Sequence, residues 1–227
     1  MKRPAASVLT GLARRLKGAL LPRRRPRAGT FQPYNHTLPD RYPWLFRAAV
    51  AALAGREQLS LLSFGCSRGD EVVSLRSYFP GAAIRGLDVD PRNISACLAR
   101  MPPGTPGVSF ASAATTAAEP DAGYDAIFCL AVLVHGDLAV SAATYSAPLL
   151  RFAEFEGAVT DFHRCLKPGG LLFLHTTNFR FCDTRVAAQF DVMLSAPPEA
   201  MSVDGKFDRD NRLLQNVQYF DVGFRRR

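Results

Sequence analysis

Short apolar runs alternate with helix-spaced apolar stripes from residue 59 almost to the carboxyl terminus, and this alternation limits the possible folds more than any other feature. Residues 59–64, 82–90, 107–113, 124–134 and 171–179 are strand-length runs bounded by Gly, Pro, Asp or Asn. Between the first two, Val72, Leu75 and Phe79 share one side of a helix, and Ser67 followed by Asp70 gives that helix a start resembling a capping box. Asp90 and Pro91 read as the N-cap and first residue of the next helix. Phe152, Phe155, Val159, Phe162 and Leu166 make a third stripe, with Glu154, Asp161 and Arg164 facing outward, and the helix stops at Lys-Pro-Gly-Gly, 167–170. A helix is expected over 184–194, a polar surface loop over 197–211, and one or more final strands within 216–227. Strands alternating with amphipathic helices predict an α/β fold: a mostly parallel sheet with helices on both faces.

Charge separates an arm from a domain. Residues 1–39 hold nine Lys and Arg and no acid, which leaves 19 of the 28 basic residues against 20 acidic ones. The net charge of +8 therefore belongs to the amino-terminal end, and the folded part carries no nucleic-acid footprint. Leu9, Leu12, Leu16 and Leu20 form the apolar side of a short amphipathic helix, followed by an Arg- and Pro-rich linker. Residues 1–30 thus read as a basic flexible arm and 31–227 as the domain. Residues 1–29 are either a solvated tail or a contact for an anionic membrane surface or an acidic partner. Five widely spaced cysteines, with no pair at metal-ligand spacing, argue against a disulfide framework and a metal site. They point to a reducing, cytoplasmic setting, with a peripheral membrane association left open through the arm.

The first strand ends in Phe64-Gly65-Cys66-Ser67-Arg68-Gly69-Asp70-Glu71. In an open parallel sheet, ligands sit beyond the carboxyl ends of the strands. Two glycines there allow a tight turn, and the following helix offers free N–H groups. The spacing is neither that of dinucleotide folds nor that of the Walker loop, and a plain strand–helix turn is the alternative reading. Asp88 ends the second strand about 20 residues on, the offset at which an acid can accept hydrogen bonds from two ribose hydroxyls; a solvated turn aspartate is the alternative.

Taken together, 61–75, 84–94, 124–137 and 166–179 resemble the successive motifs of class I S-adenosylmethionine-dependent methyltransferases, and the 65–71 turn is similar to the glycine loop of the chemotaxis-receptor carboxyl methyltransferases. The resemblance implies a Rossmann-like, seven-stranded sheet whose last strand is antiparallel, with S-adenosyl-L-methionine as cofactor. It implies that Phe64, Gly65, Cys66, Ser67 and Gly69 pass under the methionine part and that Asp70 or Glu71 meets its amino group. Asp88, with Val89 beside it, holds the ribose, and Cys129 and Leu130 offer backbone contacts. Two departures stand out: Ser63 replaces the acid common two residues before the first glycine, and no acid follows strand three until Glu119.

Methyl transfer from a sulfonium mainly needs alignment, and a base only where the nucleophile must lose a proton. His135 and His175 follow strands four and five and are the candidate bases, with a structural role as the alternative. The aromatic segment 33–46 reads as a lid over the site or as packing against the sheet edge. The expected activity is methyl transfer to an unidentified small-molecule or protein acceptor; the other reading is a non-catalytic, methyltransferase-like binding or scaffolding module.

Overall fold

The computed structural model describes residues 30–32, 34–101, 105–201 and 204–227, so the arm helix expected near the amino terminus lies outside the described residues. Helix α1, Pro43–Ala52, leads into strand β1, Ser60–Phe64, and helix α2, Asp70–Tyr78. Strand β2 (Ala83–Asp88), helix α3 (Pro91–Arg100) and strand β3 (Val108–Ser112) follow. Then come β4 (Tyr124–Leu130), the short α4 (Gly136–Val140), α5 (Phe152–Cys165), β5 (Leu166–His175), β6 (Phe190–Ser195) and β7 (Asp221–Arg226).

The seven strands lie in the order β3-β2-β1-β4-β5-β7-β6. The first five are parallel, and β7 runs antiparallel to both β5 and β6. The chain moves outward from β1 to β2 and β3, then returns to the other side of β1 with β4. That reversal opens a crevice at the carboxyl ends of β1 and β4, where open α/β sheets place their ligands.

Because side chains alternate along a strand, the sheet feeds two cores. Leu62, Phe64, Ile127 and Cys129 pack with Phe155, Val159 and Phe162 of α5. Leu61, Ala126 and Phe128 pack on the opposite face with Leu45 and Phe46 of α1, Val72 and Leu75 of α2, and Ile94 and Cys97 of α3. Burial on both faces explains why β4 is apolar without a break from Ala126 to Leu130. Among the described residues no helix is long and apolar enough to cross a membrane.

The carboxyl-terminal third departs from the sequence reading. In place of a helix over 184–194, the chain makes two 3-10 turns, Phe181–Asp183 and Arg185–Gln189, and then enters β6. Val186, Phe190 and Leu194 have helical spacing, but Phe190, Val192 and Leu194 also alternate, and pairing with β7 decides between the two periods. The described residues of 197–211 form a loop at the surface, as expected, but two of them turn inward. Phe207 is 1% exposed and inserts beside Phe179, and Lys206 is buried with its ammonium donating to Thr177 O at 2.5 Å. The segment closes over the carboxyl end of β5.

Candidate active site

A cavity of about 340 Å³ lies over the crevice, within the roughly 300–1,000 Å³ typical of small-molecule sites. Its floor is the β1–α2 turn. Gly65 has φ +76°, Ser67 +51° and Gly69 +89°, so the turn is built from left-handed residues. Gly65 N and Cys66 N donate to Leu87 O at 2.8 and 2.9 Å, which fixes the turn to β2. A Cβ on Gly65 would lie 2.4 Å from Val132 Cγ2, so the space above this glycine is shared with a side chain from the β4 exit. Gly69, not Ser67, caps α2, and no side chain caps that helix; the Ser67 hydroxyl is turned away to Asn35.

Asp88 lines the cavity and is 8% exposed. Oδ1 accepts from Asp90 N at 2.8 Å and Asn93 Nδ2 at 2.9 Å, and Oδ2 accepts from Ser67 N at 2.9 Å. Of the roughly four lone-pair positions on a carboxylate, three are filled, and one remains on Oδ2. Two ribose hydroxyls therefore exceed what this carboxylate still offers. Asp88 also has the structural work that the sequence did not reveal: it holds the glycine turn and the start of α3.

Glu71 supplies a further carboxylate of the cavity, beside Asp88 and the helix-capping Asp90. Ser63 Oγ donates to its Oε1 at 2.6 Å, so the acid missing from β1 is replaced from the first turn of α2, with Ser63 as its support. Burial pushes the Glu71 carboxyl up to about 8, against the pull of the Ser63 hydrogen bond and the Arg41 charge. An acid held this high is short of a cation. Asp70 is not the alternative to Glu71: it faces α3, where Arg100 pairs with it.

Phe64, Gly65, Cys66, Ser67, Glu71, Asp88, Val89 and Leu130 all line the cavity. Gly69, Asp70 and Cys129 do not: Gly69 packs on Cys97, Asp70 faces Arg100, and Cys129 is fully buried on the α5 side of the sheet. Glu119 sits with Arg85 and Tyr124 below the sheet edge, while Ala113 and Ala114 line the cavity after β3.

Neither histidine reaches the wall, which corrects their placement as bases. His175 packs against Tyr42 at 4.8 Å and Trp44 at 5.7 Å between ring centroids. Its Nε2 is 2.9 Å from Ala200 O, which can only accept, so Nε2 carries the proton and Nδ1 accepts from Thr176 Oγ1 at 2.8 Å. Burial lowers its pKa, and no lone pair is left for a substrate proton. His135 is buried and also lowered, and its backbone N–H donates to Asn178 Oδ1 at 2.7 Å.

The roof was the least legible part of the sequence. Residues 30–42, apart from Pro33, cross the cavity as a strap, and Thr30, Phe31, Tyr34, Asn35, His36 and Arg41 are among its lining residues. The strap is tied down where it passes each helix. Tyr34 OH donates to Asp137 beside α4, Asn35 meets α3, Asp40 N donates to Ser74 Oγ at 2.8 Å, and Tyr78 OH donates to Asp40 Oδ1 at 3.0 Å. Asn35 and Arg41 carry no motif, and only the aromatic clustering of 33–46 signalled that this stretch closes the site.

A family profile described as a methyltransferase domain matches residues 34–223. No curated protein matches the chain. Among solved structures, the amino pentose methyltransferase CalS10 of Micromonospora echinaspora is 24% identical, with 64% of this chain and 60% of that one covered and a TM-score of 0.42. The phosphoethanolamine N-methyltransferase 2 of Haemonchus contortus is 15% identical, with 73% and 32% covered and a TM-score of 0.46. The YcgJ protein of Bacillus subtilis is 16% identical, with 61% and 52% covered and a TM-score of 0.44. The alignments span from about a third to about three fifths of these structures' lengths. The profile extends from the strap to the last strand, and the chain belongs to the methyltransferase domain family.

Proposed function

We propose that the chain binds S-adenosylmethionine in this cavity and transfers its methyl group to a small-molecule or protein acceptor. The observation that carries the reading is the convergence of the Asp88 and Glu71 carboxylates, with Asp90 beside them capping α3, on the cavity floored by the Gly65 turn. Glu71 would take the amino group of the methionine part, the cation its raised pKa calls for. Arg41, on the wall and close enough to act on the Glu71 charge, would take the carboxylate of the same amino acid. The free lone pair of Asp88 Oδ2 would accept from one ribose hydroxyl. The adenine would lie between Val89 and the small side chains of Ala113 and Ala114, read through packing and backbone rather than an acid. The cofactor supplies a methyl carbon already activated by its sulfonium. The protein's part is to orient it and to exclude water with the strap, and no histidine base enters the reading.

The similarity of the glycine turn to that of the chemotaxis-receptor enzymes favours an acceptor that needs no base, such as a carboxylate. We also assign to residues 1–29 contact with an anionic membrane surface or an acidic partner. Flotation with phosphatidylserine vesicles of the full chain and of a chain lacking 1–29 tests this, and equal binding removes it.

Titration calorimetry with S-adenosylhomocysteine tests the cofactor reading. Losing a hydrogen bond to a charged group, about 1.5–3 kcal/mol, should weaken binding by Asp88→Ala about 10- to 100-fold. The same holds for Glu71→Ala. No heat from the wild-type protein, or equal affinity in both variants, rejects it.

A further inference from the structure

We propose that Asn93 is a positioning residue which couples closure of the strap to the orientation of Asp88; the proposal rests on the cofactor reading above. Four groups from four parts of the chain close a ring of hydrogen bonds. Ser67 N donates to Asp88 Oδ2 at 2.9 Å, and Ser67 Oγ donates to Asn35 Oδ1. Asn35 Nδ2 donates to Asn93 Oδ1 at 2.7 Å, and Asn93 Nδ2 donates to Asp88 Oδ1 at 2.9 Å. The ring joins the glycine turn, the strap, α3 and β2 within the wall of one cavity.

The carboxylate dictates every direction in it. Asp88 can only accept, so Asn93 must present its NH₂ there and its carbonyl to the strap. Asn35 must then present its own NH₂ to Asn93 and its carbonyl to the Ser67 hydroxyl, which donates. An open strap takes away the strap partner of the Asn93 carbonyl, a residue that is buried when the strap is closed. A rotated Asp88 breaks the ring at two points at once. Strap closure and the direction of the lone pair left on Asp88 Oδ2 are therefore set together, and a ligand that engages Asp88 stabilises the closed strap. Hydrogen-bonded rings of this kind lose more than one bond when one member is removed.

The test uses the full chain with Asn35→Ala, Asn93→Ala and the similarly sized Asn93→Leu. S-adenosylhomocysteine is the probe, and hydrogen exchange of residues 34–42 is measured without ligand. Asn35→Ala, at an exposed position, should speed ligand release about two- to tenfold, the effect of a lost hydrogen bond between neutral groups, and raise strap exchange. Asn93→Ala should do both and also shrink the affinity difference between S-adenosylhomocysteine and its deoxyribose analogues, because Asp88 loses its alignment. Asn93→Leu, of similar volume, should be no better than Asn93→Ala, since it has no proton to donate to Asp88; a packing role would predict that it behaves as wild type. Unchanged release and unchanged exchange in a folded Asn93→Ala overturn the proposal. Absence of S-adenosylhomocysteine binding by wild type would reject the cofactor reading instead, and strap exchange alone would then decide the latch: faster exchange in both alanine variants keeps it, and equal exchange ends it.

Discussion

At the scale of single residues, the carboxylates carry most of what the sequence revealed and part of what it concealed. Asp88 and Glu71 were readable because they follow strand and turn signals, and both line the cavity. The choice between Asp70 and Glu71 was not readable, because it depends on Arg100, which lies 30 residues away in sequence and one helix away in space. Glu71 makes a prediction of its own. The folded protein keeps its proton up to about pH 8, while the unfolded chain releases it near 4.5, so between those values the native state binds more protons. Its contribution to stability therefore falls as pH rises through that window. Glu71→Gln should gain on wild type in melting temperature from pH 4.5 to 8, as scanning calorimetry would show, and a constant difference would contradict the placement. At pH 6.5, binding of S-adenosylhomocysteine should release close to one proton from Glu71. Calorimetry in buffers of different ionisation enthalpy would measure that release.

Single elements explain where periodicity failed. Strands β1, β2, β4 and β5 and helices α2, α3 and α5 were legible because burial on one or both faces leaves an unambiguous pattern. β6 was not: it sits at the sheet edge, only Phe190 of its residues is buried, and its apolar spacing fits two periods. The crossing segment 197–211 looked polar, yet it buries Lys206 and Phe207. Burial lowers the Lys206 ammonium to about 8, below the ordinary 10.5. Between these values the unfolded chain holds the proton that the folded one has released, so this contribution to stability rises with pH. The melting temperature of wild type relative to Lys206→Met should increase from pH 8 to 10.5 and level off above. A flat difference would mean that the side chain reaches water.

Across the whole molecule these two groups act in opposite directions on either side of pH 8. Their joint contribution is a shallow minimum in thermal stability near that pH, which Glu71→Gln combined with Lys206→Met should erase; an identical profile in the double variant would show that other groups dominate. The architecture itself was legible from order alone, since right-handed crossovers and a reversal after β3 leave few ways to arrange strands alternating with helices. The cavity's roof was not, because it comes from a segment whose only signal was its aromatic content. The contact between Gly65 and Val132 bears on how relatives of this chain should vary. Position 65 is kept small by a neighbouring side chain as well as by any ligand. Shortening the side chain at 132 should therefore not by itself free 65 to vary, because the left-handed backbone there still penalises any Cβ.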